Sequence, residues 1–236
     1  MDKIELLAPG GSMESIYAAV QGGADAIYMG GTKFSARAYA SNFGEEQLIE
    51  AVKYCHLYNV KVYIAFNTLI KEEEFQEAID YGRFLYTIGV DALITQDLGL
   101  FKRLKEEIPD FEIHASTQMS IHNGEGALFL KEQGFHRIVL SRELSLEEIK
   151  YISTDLGIET EIFVHGALCI SYSGQCLMSS MIGGRSGNRG RCAQPCRLPY
   201  TLVDKNNNNV LKDAGQYLLS PRDMNSFSIT ANSESL

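Results

Sequence analysis

Four of the five cysteines of this chain lie within one short stretch of the sequence, between residues 161 and 197. They form two pairs, with six residues inside the first pair and three inside the second, and fifteen residues separate the pairs: Cys169, Cys176, Cys192 and Cys196. Thiolates that converge on one point bind a soft metal ion or an iron–sulfur cluster. Glycines between the pairs would let the backbone fold closely around such a group.

The spacing of these cysteines leaves several interpretations open. A [4Fe–4S] cluster takes its thiolates from a loop, and nearby arginines and glycine N–H groups would offset its negative charge. Structural zinc prefers cysteine pairs separated by about two to four residues, so the second pair fits zinc and the first fits it poorly. Disulfides need an oxidising compartment, and free thiols are common in protein cores with no ligand at all.

The stretch from residue 185 to residue 197 carries four arginines and no acidic residue. The net charge of the whole chain is −9, so a general attraction to nucleic acid is not expected. A local attraction is compatible with this charge, and Arg185, Arg189 and Arg191 are therefore predicted to contact a substrate such as RNA. Alternatively, these arginines offset the charge of a cluster or bind a small phosphate-bearing molecule.

Apolar strands alternate with amphipathic helices up to the cysteine-rich stretch. Seven strands can be read, from residues 4–8 to residues 159–166, and apolar residues at intervals of three and four predict the helix at 45–59. This alternation predicts a parallel sheet in an α/β fold. Seven steps without a reversal favour a TIM-barrel-like (β/α) repeat over a doubly wound sheet.

We predict three parts in the chain. Residues 1–166 would form the barrel-like domain with strands 1 to 7, and residues 167–199 a metal-site segment rich in cysteine, glycine and arginine. Residues 200–236 would form a β-hairpin around an Asn-rich turn, followed by a frayed tail. Because no eighth strand can be read, the barrel is expected to be incomplete at its C-terminal end.

Polar residues follow the predicted strands at their carboxyl ends, where barrels of this type carry their chemistry. Asn67, Gln96 and Gln118 are predicted to bind a polar substrate, although each alone could equally cap a helix or form a turn. The predicted catalytic residues are His165, Arg142 and Glu161. Arg142 would hold a carboxylate or phosphate, or pair with a glutamate; Glu161 would position His165 or the cysteine loop.

The pattern E-x-F-x-H-G-A-x-C-x6-C-x-x-S, which begins at Glu161, resembles the signature of peptidase family U32. Other blocks resemble the family in the same order, and together they cover nearly the whole chain: LLAPGG, FNT, QDLG, HASTQM, LSREL, GRSGNRGRCAQPCR and LLSPRDM. Members of this family were first named collagenase-like proteases. Others are hydroxylation proteins that act on a transfer-RNA uridine, a ribosomal-RNA cytidine or a ubiquinone precursor, and that branch carries a cysteine-bound iron–sulfur cluster.

This resemblance implies an iron–sulfur-dependent enzyme that hydroxylates RNA or a small aromatic precursor, with prephenate as the candidate oxygen donor. Some members take a cluster ligand from the segment after SPRD, where this chain has Met224 and Asn225, so Cys196 would be the fourth ligand here. Family members usually continue further, which makes this chain look truncated, and some act in pairs, which implies a homo- or hetero-oligomer.

Two other functions stay open at this stage. The family name implies a peptidase; H-E-x-x-H is absent, and a hydrolase would need Cys169 activated by His165. A non-catalytic accessory that binds RNA or a partner would use its metal only structurally.

The remaining sequence features concern location and the fifth cysteine. No run of 18 apolar residues is present and the start of the chain does not resemble a signal peptide, so a cytoplasmic protein without a membrane span is expected. Cysteines would then be reduced, which favours metal over disulfide. Cys55 lies on a predicted helix and is expected to be packed in the core.

Overall fold

The computed structural model describes residues 4–36, 43–210 and 215–226. Seven parallel strands form one curled sheet in which spatial order follows chain order, β1 to β7. This sequential order is that of a barrel and differs from a doubly wound sheet, whose strand order reverses. The predicted TIM-barrel-like (β/α) repeat is therefore confirmed. The strands are β1 Leu7–Pro9, β2 Ala26–Met29, β3 Lys61–Ala65, β4 Ala92–Thr95, β5 Glu112–Ala115, β6 Arg137–Val139 and β7 Thr160–Glu161.

Helices follow the first six strands and cover the outside of the sheet. Ser12 caps the first helix, and Ser145 forms a capping box with Glu148, whose carboxylate accepts the Ser145 N–H at 2.7 Å. Asp97 caps the fourth helix by accepting the N–H of Leu100 at 2.9 Å. The helices are α1 Met13–Gln21, α2 Glu45–Leu57, α3 Phe75–Thr87, α4 Leu98–Glu107, α5 Gly124–Gln133 and α6 Leu146–Lys150, which continues as a π-helical turn over Tyr151–Asp155.

Alternate residues of each strand face two different layers, because side chains of a strand point to opposite faces of the sheet. The outward layer packs against the helices and is aliphatic: Ile27, Ile64, Leu93, Ile113 and Ile138. The inward layer fills the barrel with Ala26, Tyr63, Ala92, Ile94 and Val139. Burial of both faces explains why the strands read as continuous apolar runs in the sequence.

The seventh strand is shorter than the sequence predicted. We expected one strand over 159–166, but β7 ends at Glu161, and residues 165–166 form a separate strand, β8 (His165–Gly166), which pairs antiparallel with β9 (Met224–Asn225). The reason is that β6 ends at Val139, so the chain beyond Glu161 has no neighbouring strand with which to pair.

Among the described residues, the predicted hairpin after residue 200 shows an antiparallel bridge between Val203 and Asn209, across the Asn-rich turn. The predicted frayed tail lies, from residue 227 onward, outside the described residues. Within the described ranges no eighth strand joins the sheet, so β1 and β7 each pair with one neighbour. None of the helices in the described part of the chain has the length and apolar character needed to cross a bilayer.

Candidate functional site

A cavity of about 480 Å³ lies at the carboxyl ends of the strands, and all four clustered cysteines line it: Cys169, Cys176, Cys192 and Cys196. Polar side chains from three other places complete the wall. Gln118 follows β5, Arg142 follows β6, and His165 belongs to β8. The cavity therefore sits at the end of the barrel where enzymes of this architecture carry their chemistry.

The four clustered thiols differ in exposure, and the other three raise the pKa of Cys196. Cys169 and Cys192 are exposed, whereas Cys176 and Cys196 are half-buried. Burial, together with the neighbouring Cys169, Cys192 and Cys176 thiols, raises the pKa of the Cys196 thiol. Cys55 is fully buried on α2, as predicted, and its burial raises the pKa of that thiol to about 11.

The arrangement of the sulfur atoms bears on which inorganic group they fit. Zinc–sulfur bonds of about 2.3 Å in a tetrahedron would bring four sulfurs within about 3.8 Å of one another. Among the described residues, no three His, Cys, Asp or Glu side chains are grouped as ligands of a single metal ion. Four thiols that line one cavity are the donor set of a [4Fe–4S] cluster and of a four-cysteine zinc site alike.

The three predicted substrate-binding amides lie together, but only one of them reaches the cavity. Gln96 donates to Gln118 Oε1 and to the Asn67 carbonyl, both at 2.7 Å, and reaches the Asn188 carbonyl at 3.5 Å. Asn67 Oδ1 accepts the N–H of Ala36 at 2.9 Å. Asn67 and Gln96 thus tie neighbouring loops together, while Gln118 lines the cavity.

The three predicted substrate-binding arginines lie outside the wall of the cavity. The Arg189 guanidinium binds Glu74, with Nη2 at 2.5 Å from Oε1, and this hydrogen bond holds the pKa of Glu74 below its usual value. Arg185 Nε donates to the Arg191 carbonyl at 3.1 Å. Arg185 and Arg191 are exposed to solvent at the surface of the segment, where a polyanion could reach them.

The predicted catalytic residues fall into two places. Arg142 and His165 line the cavity, and Arg142 Nε donates to Ser173 Oγ at 3.2 Å. Glu161 is paired in register with Val139 and so faces the barrel interior. Burial raises the pKa of Glu161 to about 7, opposed by the Arg137 charge, and Oε2 has no hydrogen-bond partner among the described residues.

Sequence reasoning did not single out a polar group that holds the cysteine-rich segment. Glu143 accepts from the Ser173 N–H at 3.1 Å and lies 3.2 Å from His122 Nε2. The Glu143 carboxylate therefore lies between the Ser173 hydroxyl and the His122 imidazole. A hydrolytic triad requires the imidazole in the middle, so this group is not one.

Arg197 is a second residue whose place the sequence did not reveal. It donates to the Leu168 carbonyl at 2.8 Å, to Ser220 Oγ at 2.6 Å and to the Pro221 carbonyl at 2.7 Å. It therefore connects the second cysteine pair to the residue before Cys169. The LLSPRDM block, which contains Ser220 and Pro221, was the available signal, because it indicated that this distant stretch matters to the same site.

Comparison with known proteins extends these observations. The chain is 44% identical over 221 residues to the 23S rRNA 5-hydroxycytidine C2501 synthase of Escherichia coli K12, covering 94% of this chain and 33% of that protein. It is 37% identical to tRNA hydroxylation protein P1 of Bacillus subtilis 168, covering 94% and 54%. A protein named collagenase from Porphyromonas gingivalis W83 is 34% identical, covering 95% and 56%. The chain thus spans between a third and somewhat over half of these relatives.

A solved structure and a family model agree with these matches. The structure of the U32 peptidase Mk0906 superposes with a TM-score of 0.60 over 70% of each chain, and its 15% identity supports the shared fold alone. The family model described as Peptidase family U32 matches residues 11–231, nearly the full length of the sequence. This chain belongs to peptidase family U32.

Proposed function

We propose that this chain forms the catalytic barrel of an enzyme that hydroxylates a pyrimidine base in RNA, with a [4Fe–4S] cluster held by Cys169, Cys176, Cys192 and Cys196. The observation that carries this proposal is the single cavity that all four cysteines line at the barrel mouth. Relatives named for hydroxylation of 23S rRNA and of tRNA, at 44% and 37% identity, support the choice of reaction and substrate.

When bound, the cluster would supply one-electron redox chemistry. Arg142 would hold an anionic group in the cavity, because its terminal nitrogens take part in no hydrogen bond among the described residues and a guanidinium binds carboxylate or phosphate in two bonds. The carboxylates of prephenate, as oxygen donor, suit this role. His165 lines the same wall and would move a proton at the substrate ring.

The bases of RNA would approach from the side of the segment that carries Arg185 and Arg191. Both arginines are exposed, and neither contributes to the cavity wall. They would contact backbone phosphates and position the strand, without selecting its sequence. Arg189 is not assigned to RNA binding, because both terminal nitrogens of its guanidinium donate to the Glu74 carboxylate.

Peptide hydrolysis is the second candidate, and one observation favours it: His165 and Cys169 line the same cavity, so the imidazole could activate the thiol. The relative named collagenase belongs to the same family. Against hydrolysis, the Ser173, Glu143 and His122 group has its carboxylate in the middle position, which does not suit a serine nucleophile.

The discriminating experiment is anaerobic purification followed by counts of iron and acid-labile sulfide per chain. The cluster proposal expects about four of each for the wild type, with a large loss in Cys192→Ala. Cys55→Ala is the matched control and should keep its iron, because that thiol is buried on α2. A colourless, iron-free protein that cleaves peptides would refute the hydroxylation proposal and support peptide hydrolysis instead.

The reaction itself can be followed on RNA. Nucleosides from RNA incubated with the reconstituted protein, prephenate and a chemical electron acceptor are separated and weighed by mass spectrometry; the acceptor is needed because conversion of a ring C–H to C–OH removes two electrons. We expect one pyrimidine nucleoside to gain a single oxygen atom, and Arg142→Met to abolish this gain. An unchanged nucleoside profile with iron-loaded protein would rule out RNA hydroxylation by this chain.

A further inference from the structure

Two glutamates that are not cavity residues each bind a different end of the cysteine-rich segment. Glu143 lies in the loop after β6, and Glu74 lies just before α3. Glu143 contacts the turn between Cys169 and Cys176, whereas Glu74 contacts the turn that precedes Cys192. The two cysteine pairs are therefore fastened to loops from different parts of the barrel mouth.

The first anchor is built around Ser173, which is only 1% exposed. Its backbone N–H donates to Glu143 Oε1 at 3.1 Å, and its hydroxyl lies 3.3 Å from both carboxylate oxygens. His122 approaches the same carboxylate, with Nε2 at 3.2 Å from Oε2. One carboxylate thus joins the loop after β5 to the turn that leads to Cys176.

Backbone geometry on both sides strengthens this first anchor. Ser120 has a left-handed backbone, with φ of 61°, and its hydroxyl donates to the Ser173 carbonyl at 2.5 Å. Gly174 has φ of 75°, and a Cβ at that position would lie 2.1 Å from the Gln118 carbonyl oxygen. The turn can approach the loop this closely only because residue 174 has no side chain.

The second anchor is a two-bond ion pair between Arg189 and Glu74. Nη1 donates to Oε2 at 2.8 Å and Nη2 to Oε1 at 2.5 Å, while Nη1 also donates to the Leu69 carbonyl. Next to it, Gly190 has φ of 71°, and a Cβ there would lie 2.4 Å from the Ser35 carbonyl oxygen. Such paired charge-assisted bonds fix orientation as well as distance.

Hydrogen bonds also connect residues next to the first cysteine pair with residues next to the second. Arg197 donates to the Leu168 carbonyl at 2.8 Å, and the Ala193 N–H donates to the Ser179 hydroxyl at 2.9 Å. Removing one anchor should therefore loosen its own cysteine pair first, while these bonds and the other anchor retain the second pair.

We propose that Glu143 and Glu74 are positioning residues, each holding one cysteine pair in place over the barrel mouth. Their use in holding a cluster rests on the proposed function. The anchoring itself does not, since every contact in it joins groups of the metal-free chain. Neither glutamate touches the cavity, so both act through the segment that they fasten.

The test measures thiol alkylation in metal-free protein, resolved by mass spectrometry for each cysteine. The half-buried Cys176 and Cys196 report on the first and second pair, and the buried Cys55 reports whether the barrel stays folded. We expect Glu143→Ala to raise the alkylation rate of Cys176 about tenfold, as loss of one charge-assisted hydrogen bond shifts a local opening equilibrium, with Cys196 changed by less than about twofold. Glu74→Ala should give the reverse pattern.

Conservative variants separate anchoring from general destabilisation. Glu143→Gln keeps an oxygen that can accept the Ser173 N–H and should restore most of the protection of Cys176. In a second arm, iron-loaded Glu143→Ala and Glu74→Ala should each lose iron to a chelator several times faster than the wild type. Equal changes at Cys176 and Cys196 in either alanine variant, or no change at either, would overturn the proposal.

The two arms also separate this inference from the proposed cluster. If the wild type takes up no iron but the alkylation pattern appears as expected, the cluster is refuted and the anchoring stands. If the wild type holds iron and the alkylation pattern is absent, the cluster stands and the anchoring is refuted.

Discussion

Glu161 allows a direct test of whether the barrel interior raises the pKa of a carboxyl group. Its side chain faces inward from β7, Oε2 lacks a hydrogen-bond partner among the described residues, and burial raises its pKa to about 7. The Arg137 charge opposes this rise and the Glu5 charge adds to it. In the unfolded chain the same carboxyl titrates near its ordinary value of about 4.5.

The sign of the effect on stability follows from these two values. Between about pH 4.5 and pH 7 the folded state binds the proton more strongly than the unfolded state does, so stability falls as pH rises through that window. Each tenfold difference in proton affinity is worth about 1.4 kcal/mol. The carboxyl therefore costs about 2 to 3 kcal/mol of unfolding free energy between pH 5 and pH 8.

The perturbation is Glu161→Gln, which keeps the shape of the side chain and removes its titration. The free energy of unfolding is measured in urea at pH 5 and pH 8 for the wild type, the variant and Glu132→Gln, a control at an exposed position on α5. We expect the wild type and the control to lose about 2 to 3 kcal/mol more than Glu161→Gln does over this interval. Equal losses in all three proteins would show that the Glu161 carboxyl is solvated and would refute the reasoning.

Three further predictions concern the loops and the segment. Gly174→Ala should lower the melting temperature more than Gly157→Ala does, because both glycines have positive φ but only the first would bring a Cβ against a carbonyl oxygen; equal shifts would mean that backbone strain alone matters. Asp97→Ala should cost about 1 to 2 kcal/mol in urea unfolding, since its carboxylate accepts the N–H groups of Leu100 at 2.9 Å and Ile70 at 3.0 Å. Arg197→Met should lower the iron content per chain while the far-UV circular dichroism stays unchanged; full iron content would show that the brace to Leu168 is dispensable.

The fold followed from the sequence because its determinants are local. Each strand is a short apolar run and each helix has apolar residues every three or four positions, so the βα alternation can be read directly. Parallel connections between adjacent strands then leave sequential order as the simplest arrangement. The end of β7 at Glu161 could not be read this way, because it depends on where β6 stops.

The site was predictable only in its chemistry. Cysteine type and spacing indicated the group of sulfur atoms, but the roles of the arginines depend on partners far away in the chain. Arg189 meets Glu74, which lies 115 residues earlier, so a stretch that reads as a basic patch contributes one arginine to an ion pair. Glu143 likewise reads as a loop residue until Ser173, 30 residues later, is placed against it.

The interior charges link the shape of the barrel to the geometry of its mouth. Among the described residues β1 and β7 do not pair with each other, yet Arg137 of β6 reaches across the interior to Glu5, at 2.6 Å, and also binds Glu159 at 3.0 Å. The Arg137 side chain is 9% exposed and that of Glu5 22%, so this partly buried bridge opposes uncurling of the sheet. The two anchors of the cysteine segment stand on loops after β6 and before α3, on different parts of the same curl. If both glutamates anchor the segment as we propose, the distance between the cysteine pairs follows the curl of the sheet, which the bridge from Arg137 to Glu5 and Glu159 helps to maintain.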